Sequence, residues 1–150
     1  MDKKLVDKLA EKYPKLFQEY GKPPSESCMA WGCECGNGWY NILDDLFNQL
    51  SKYDDIILTQ VKEKFGTLRF YYRTEVWYDN GNTVKLTEKE EKIWNEIIRG
   101  VVSRCENESS QTCEKTGEYG FLHKKGAWLK TLSIEQGEEL GFTPKSRLDA

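Results

Sequence analysis

Histidine is nearly absent from this chain: His123 stands alone among 150 residues. A His-centred catalytic triad would have to be built on that one ring, and its Lys-Lys-Gly neighbours do not resemble a nucleophile elbow. A basic excess is also missing, since 22 Lys and Arg face 25 Asp and Glu for a net charge of −3. That balance argues against a general phosphate-backbone binder, so extended nucleic acid is not an expected partner. No apolar run reaches the length of a membrane span, and the opening MDKKLVDKLAEKY has no apolar core before a small-residue cleavage site. No membrane partner and a cytoplasmic location are therefore expected. The five Cys are odd in number and irregularly spaced, which speaks for reduced thiols rather than a disulfide framework. Glycine-rich phosphate motifs are lacking as well: the loop at 32–38 has neither GK[ST] nor G-x-G-x-x-G.

What is present is a chain with 38% hydrophobic and 13% aromatic residues, including five Trp. Its length suits a single domain of α+β class over 1–142, with 143–150 as a flexible tail. The organising stretch is Ile56 to Tyr78, IILTQVKEKFGTLRFYYRTEVWY, which alternates and is broken by Phe65-Gly66 where a hairpin would turn. If Ile57, Thr59 and Val61 face the core with Leu68, Phe70 and Tyr72, the opposite face carries Gln60, Lys62, Lys64, Arg69, Tyr71 and Arg73. Asn80-Gly81 predicts a second, type I′ turn, with Thr83 to Leu86 returning as a short strand of a meander over about 56–86.

Helices flank this sheet. Leu5, Val6, Leu9, Tyr13, Leu16 and Phe17 recur at helical spacing, divided by Pro14. Trp39, Ile42, Leu43, Leu46, Phe47 and Leu50 stripe a helix over about 38–52, opened by Asn37 or Gly38. Free N–H groups at that helix start would favour an anion. Thr87 and Glu90 fit a capping box before a helix over about 88–106. Trp94 and Ile97 are expected in the core there, with Ile97→Ala costing about 2–5 kcal/mol.

The C-terminal segment has the outline of a zinc ribbon without its ligands. A C-x2-C-x16-C-x2-C pattern would use positions 113, 116, 133 and 136, which hold Cys113, Thr116, Ser133 and Gln136. One ligand of four cannot close a structural site, so no metal and no cofactor are expected. A substitute built on Cys105, Cys113 and His123 would still lack a fourth ligand. Packing of Phe121, Trp128, Leu129 and Leu132 against the core is expected to hold this hairpin and a short helix capped by Ser133. Cys28, Cys33 and Cys35 lack zinc-knuckle spacing and read as small buried hydrophobes.

Three pieces, CGNGW at 35–39, QVKEKFGTLRFYY at 60–72 and TCEKTG…WLKTLSIEQGEELGF at 112–142, resemble a family of short proteins encoded by tailed phages and prophages. The family carries C-G-x-G-W, KEKFG[GT]LRFY and a four-Cys ribbon, and here the ribbon is degenerate. The resemblance implies a phage-accessory protein acting in the host cytoplasm. It also implies anti-defence activity, exerted by sequestering a small nucleotide immune signal or by binding a defence protein.

Paired carboxylates at 44–45 and 54–55 do not face each other on a helix or strand, so catalysis is disfavoured, and an enzyme would need a site assembled from distant residues. The expected function is binding of a small anionic, nucleotide-like ligand, with a host protein as the alternative partner. Cations hold phosphates and aromatic faces stack on bases. The candidate contacts are Lys62, Lys64, Arg69, Tyr71, Arg73 and Trp77, with Trp31 and Trp39 completing a pocket.

Overall fold

The computed structural model describes residues 1–53, 55–74 and 87–146. The expected Asn80-Gly81 turn, the return strand 83–86 and Trp77 lie outside them. Sheet and helix are both present, and the fold is α+β.

Helix α1 runs Lys3–Lys12 and buries Val6 and Leu9. Pro14 stops it, as its missing N–H and fixed φ demand. The following residues form turns rather than a second helix, yet Tyr13, Leu16 and Phe17 are still buried. A two-residue strand β1, Cys33–Glu34, and a single 3₁₀ turn, Asn37–Trp39, lead into helix α2, Tyr40–Leu50. All five apolar positions of α2 from Ile42 to Leu50 are buried, as the stripe requires.

Strands β2, Ile56–Lys64, and β3, Thr67–Thr74, pair antiparallel, and β1 joins β2 in parallel. The core face carries Leu58, Val61, Leu68 and Phe70, packed on α1, α2 and the turns between them. The expected core parity of β2 needs one correction. A β-bulge between Leu58 and Gln60 shifts the register, so Ile56 and Leu58 point to the core and Ile57 joins the other face.

Helix α3, Glu88–Ser109, opens with the expected capping box of Thr87 and Glu90 and runs three residues beyond the expected end. It lies along the open edge of β3, where the Ser109 hydroxyl accepts the Leu68 amide at 2.9 Å. Its buried positions are Ile98, Val102, Cys105 and Ser109, from the middle of the helix onward. The expectation for Trp94 and Ile97 is therefore overturned. Ile97 is 47% exposed, and Trp94 is half-buried against Tyr53, ring centres 4.7 Å apart.

The C-terminal half forms a second sheet of β4, Phe121–Lys125, β5, Trp128–Leu132, and β6, Thr143–Pro144, ordered β5-β4-β6. Helix α4, Ile134–Leu140, follows β5 and is capped by Ser133 through the Gln136 amide. Residues 143–144 thus belong to a sheet rather than to the expected tail. Leu122 and Leu132 are buried, but Trp128 is 71% exposed and does not pack on the core as expected. No helix among the described residues is long and apolar enough to cross a membrane.

Candidate functional site

Cross-strand partners share a face, so the register of β2 and β3 decides which side chains meet. Lys62 lies opposite Arg69, Gln60 opposite Tyr71, and Lys64 opposite Thr67. Lys62, Lys64, Arg69, Tyr71 and Arg73 therefore gather on one face, away from the main core. Lys62 Nζ stands 5.9 Å from the centre of the Tyr71 ring, within cation–π range. Tyr71 itself is 44% exposed. On the β1 side, Glu34 is the register partner of Lys62 and moderates the charge there.

The two arginines are used differently. Arg73 is bonded to the buried Glu19, which also takes Lys22 at 3.2 Å, so its charge is largely spent within the chain. Arg69 borders a shallow depression of about 350 Å³ with Thr67, Ser103, Glu106, Asn107 and Ser110. Burial pushes the Glu106 carboxyl up, and the Arg69 guanidinium and a hydrogen bond from the Phe70 backbone offset only part of that rise. The depression is polar and has no aromatic ring in its lining.

Trp31 is exposed on the short turn Cys28–Trp31 that leads into β1. Trp39 is not available to any ligand. It is wholly buried, and its indole N–H donates to the Thr112 carbonyl at 2.8 Å. The N–H groups expected to await an anion in the 36–39 loop are also occupied. Gly36 donates to the Glu114 carboxylate at 3.0 Å, and Gly38 donates to the Glu114 carbonyl at 2.8 Å. The anion favoured by this loop is the chain's own glutamate, which Lys130 Nζ clamps at 3.0 Å. A side chain at position 38 would meet the Cys113 carbonyl at 2.3 Å, so the approach requires glycine. CGNGW is therefore the joint between the two halves of the molecule.

The ribbon positions come together around Cys113 alone. Burial raises its thiol, but hydrogen bonds from the Thr116 hydroxyl and from the Ser133, Thr116 and Lys115 backbones outweigh it, and the net shift is downward. Among the described residues no three His, Cys, Asp or Glu side chains converge on a metal position, so Cys105, Cys113 and His123 do not form a substitute site. Cys33 and Cys35 are buried as expected, whereas Cys28 is exposed.

Comparison with protein-family models, with curated proteins and with solved structures finds no match to this chain.

Two groups weighed for catalysis, His123 and the Asp44 carboxylate, are held in contacts within the chain. His123 is buried, its Nδ1 lies 2.8 Å from the Phe121 carbonyl, and a Cβ on Gly137 would strike its ring at 2.5 Å. Asp44 takes Lys12 and the Tyr13 hydroxyl, both at 2.7 Å, and clamps α1 to α2. Two exposed aromatics at hairpin tips, Phe65 and Trp128, escaped the sequence reading of the site. Phe65 carried a legible signal, because Phe before Gly in a two-residue turn is a poor fit to the conformation that such a turn requires.

Proposed function

We propose that this chain is a binding protein whose basic face on β2 and β3 docks an acidic patch on a partner protein. The observation carrying this reading is the grouping of Lys62, Lys64, Arg69 and exposed Tyr71 on one open face of a chain with net charge −3. Arginine and tyrosine on an open face are the usual material of interface hot spots. A nucleotide-like signal would be better served by a deep, aromatic-lined pocket, and the depression beside Arg69 is shallow and polar. In light of the resemblance to tailed-phage proteins, the partner we propose is a host defence protein held out of action in the cytoplasm.

Arg69→Ala combined with Tyr71→Ala should abolish anti-defence activity in infected cells while leaving the melting temperature nearly unchanged. Full activity in that double variant would remove the face from consideration. Sequestration of a nucleotide-like signal is the second reading, favoured by the adjacency of a stacking ring to Lys62 and Arg69. A thermal-shift screen against cyclic and linear nucleotides separates the two. A ligand at a hundred times its Kd adds about 2.7 kcal/mol of stability, and such a shift would replace the protein partner with a small one.

A further inference from the structure

The β2–β3 turn has two residues, Phe65 and Gly66, closed by the Lys64–Thr67 pair. Both have positive φ, +53° and +81°, the type I′ pattern that favours Asn-Gly. A left-handed conformation is unfavourable for L-residues other than Asn and Asp, and a bulky aromatic is rare there. The turn cannot relax, because the Thr131 hydroxyl donates to the Gly66 carbonyl at 2.5 Å and a Cβ on Gly66 would meet Leu122 at 2.8 Å. The strained ring gains no burial in return, since Phe65 is 63% exposed.

What it does gain is a neighbour on the other hairpin. Phe65 and Trp128 line a cleft of about 290 Å³ whose floor and rim are Ala127, Leu129, Glu63 and Lys64. The one acidic group is already engaged: Glu63 accepts the Gly66 amide at 2.7 Å and lies 4.0 Å from Lys130. The cations remain turned outward. Lys64 Nζ sits 5.4 Å from the Phe65 ring centre, and exposed Lys124 is the cross-strand partner of Leu129. Lys64 also ends the basic face, so the cleft continues that face.

We infer that the Phe65–Trp128 cleft seats one large apolar side chain of an acidic protein segment, with Lys64 and Lys124 holding flanking carboxylates. This rests on reading the adjoining face as a protein-docking surface, and it supplies the specificity that a flat basic sheet lacks. Locally strained residues held by a rigid frame concentrate at binding sites, and an aromatic pair flanked by cations suits an anchor with acidic neighbours.

The test selects binders to the full chain from a random displayed peptide library. Enriched peptides should carry Leu, Phe or Trp flanked by Asp or Glu, and binding should shift the Trp128 indole N–H resonance. Phe65→Asn should keep or raise the melting temperature, since Asn suits the turn, while weakening the selected peptide at least about tenfold. Trp128→Ala should weaken it similarly. Overturning results are a selection without enrichment, a consensus lacking the anchor or the acids, or wild-type affinity in both variants. A dimer dispersed by Phe65→Asn would assign the cleft to a second copy and also overturn the proposal. Loss of the peptide only in the Arg69→Ala, Tyr71→Ala variant would sink the cleft but keep the face. Loss only in Phe65→Asn and Trp128→Ala would do the reverse.

Discussion

The two hairpins of this molecule have similar tips and opposite means of support. β2–β3 lies on a continuous apolar core, with Leu58, Val61, Leu68 and Phe70 packed beneath α1 and α2. β4–β5 has a smaller and partly polar interior: Leu122, His123, Thr131 and Leu132 are buried, whereas Trp128 and Lys124 are not. Its place is set by polar and backbone links to the first half. These are Trp39 to Thr112, Gly36 and Gly38 to Glu114, and Thr131 to Gly66. The second sheet is thus ordered in large part by the neighbour it is docked on. The lesson is that a small sheet can be held in place by an interlock, provided that the other half supplies the carbonyls and amides.

Removing the side chain that belongs to both halves should have the largest effect. Trp39 is wholly buried in the main core and bonds the second half through its indole. Trp39→Ala should destabilise the protein by about 3–5 kcal/mol in chemical denaturation. Loss of both hairpins in one transition would support the interlock. Separate transitions would mean that the second half stands without it.

What could be read beforehand follows the same divide. The polar-face register, the α2 stripe and the caps at Thr87 and Ser133 are local or strictly periodic, and they appear as expected. The bulge at Thr59 could not be read, because one extra residue leaves the alternation plausible in both parities. β1 is only two residues long and pairs in parallel from a distance, so it has no pattern to detect. Ile97 was misplaced because a doubled stripe of Ile93, Trp94, Ile97 and Ile98 marks two possible faces, and packing chooses one. Of the candidate site, the cations and Tyr71 were legible from parity. The commitments of Arg73 to Glu19 and of Trp39 to Thr112 were not, since both join residues far apart in the chain. Phe65 reads from the sequence only as part of the turn, and Trp128 is obscured by the default that aromatics go inside.

Glu114 tests the interlock with a smaller perturbation. It is buried, accepts the Gly36 amide and holds Lys130. Glu114→Ala should cost about 1–3 kcal/mol, because the part-buried Gly36 amide loses its acceptor and half-buried Lys130 keeps only the longer contact to Glu63. The comparison makes the location of the damage the sharper result. Amide hydrogen exchange should accelerate in β4 and β5 more than in β2 and β3. Equal acceleration in both sheets would show that the halves are one cooperative unit and that the contrast in their support has no energetic meaning.

The smallest expected effect is a difference in sign. Burial pushes the thiols of the first half up, to about 12 for Cys33 and about 11 for Cys105. Cys113 in the second half is shifted down, because its hydrogen-bond donors outweigh burial. A raised folded pKa means that the folded state holds its proton longer than the unfolded state. Cys33 and Cys105 therefore stabilise fully below the ordinary thiol range and lose that contribution as pH rises toward 11–12. Cys113 does the opposite: its contribution is present above the ordinary value of 9.0 and fades as pH falls through its lowered one. The stability difference between wild type and Cys113→Ser should therefore grow as pH rises toward 9, whereas the difference for Cys105→Ser should shrink above 9. Thiolate absorbance in a Cys28→Ser background should show Cys113 titrating before Cys33 and Cys105. If Cys113 titrated together with those two, its amide and hydroxyl donors would be ornamental, and the second half would resemble the first after all.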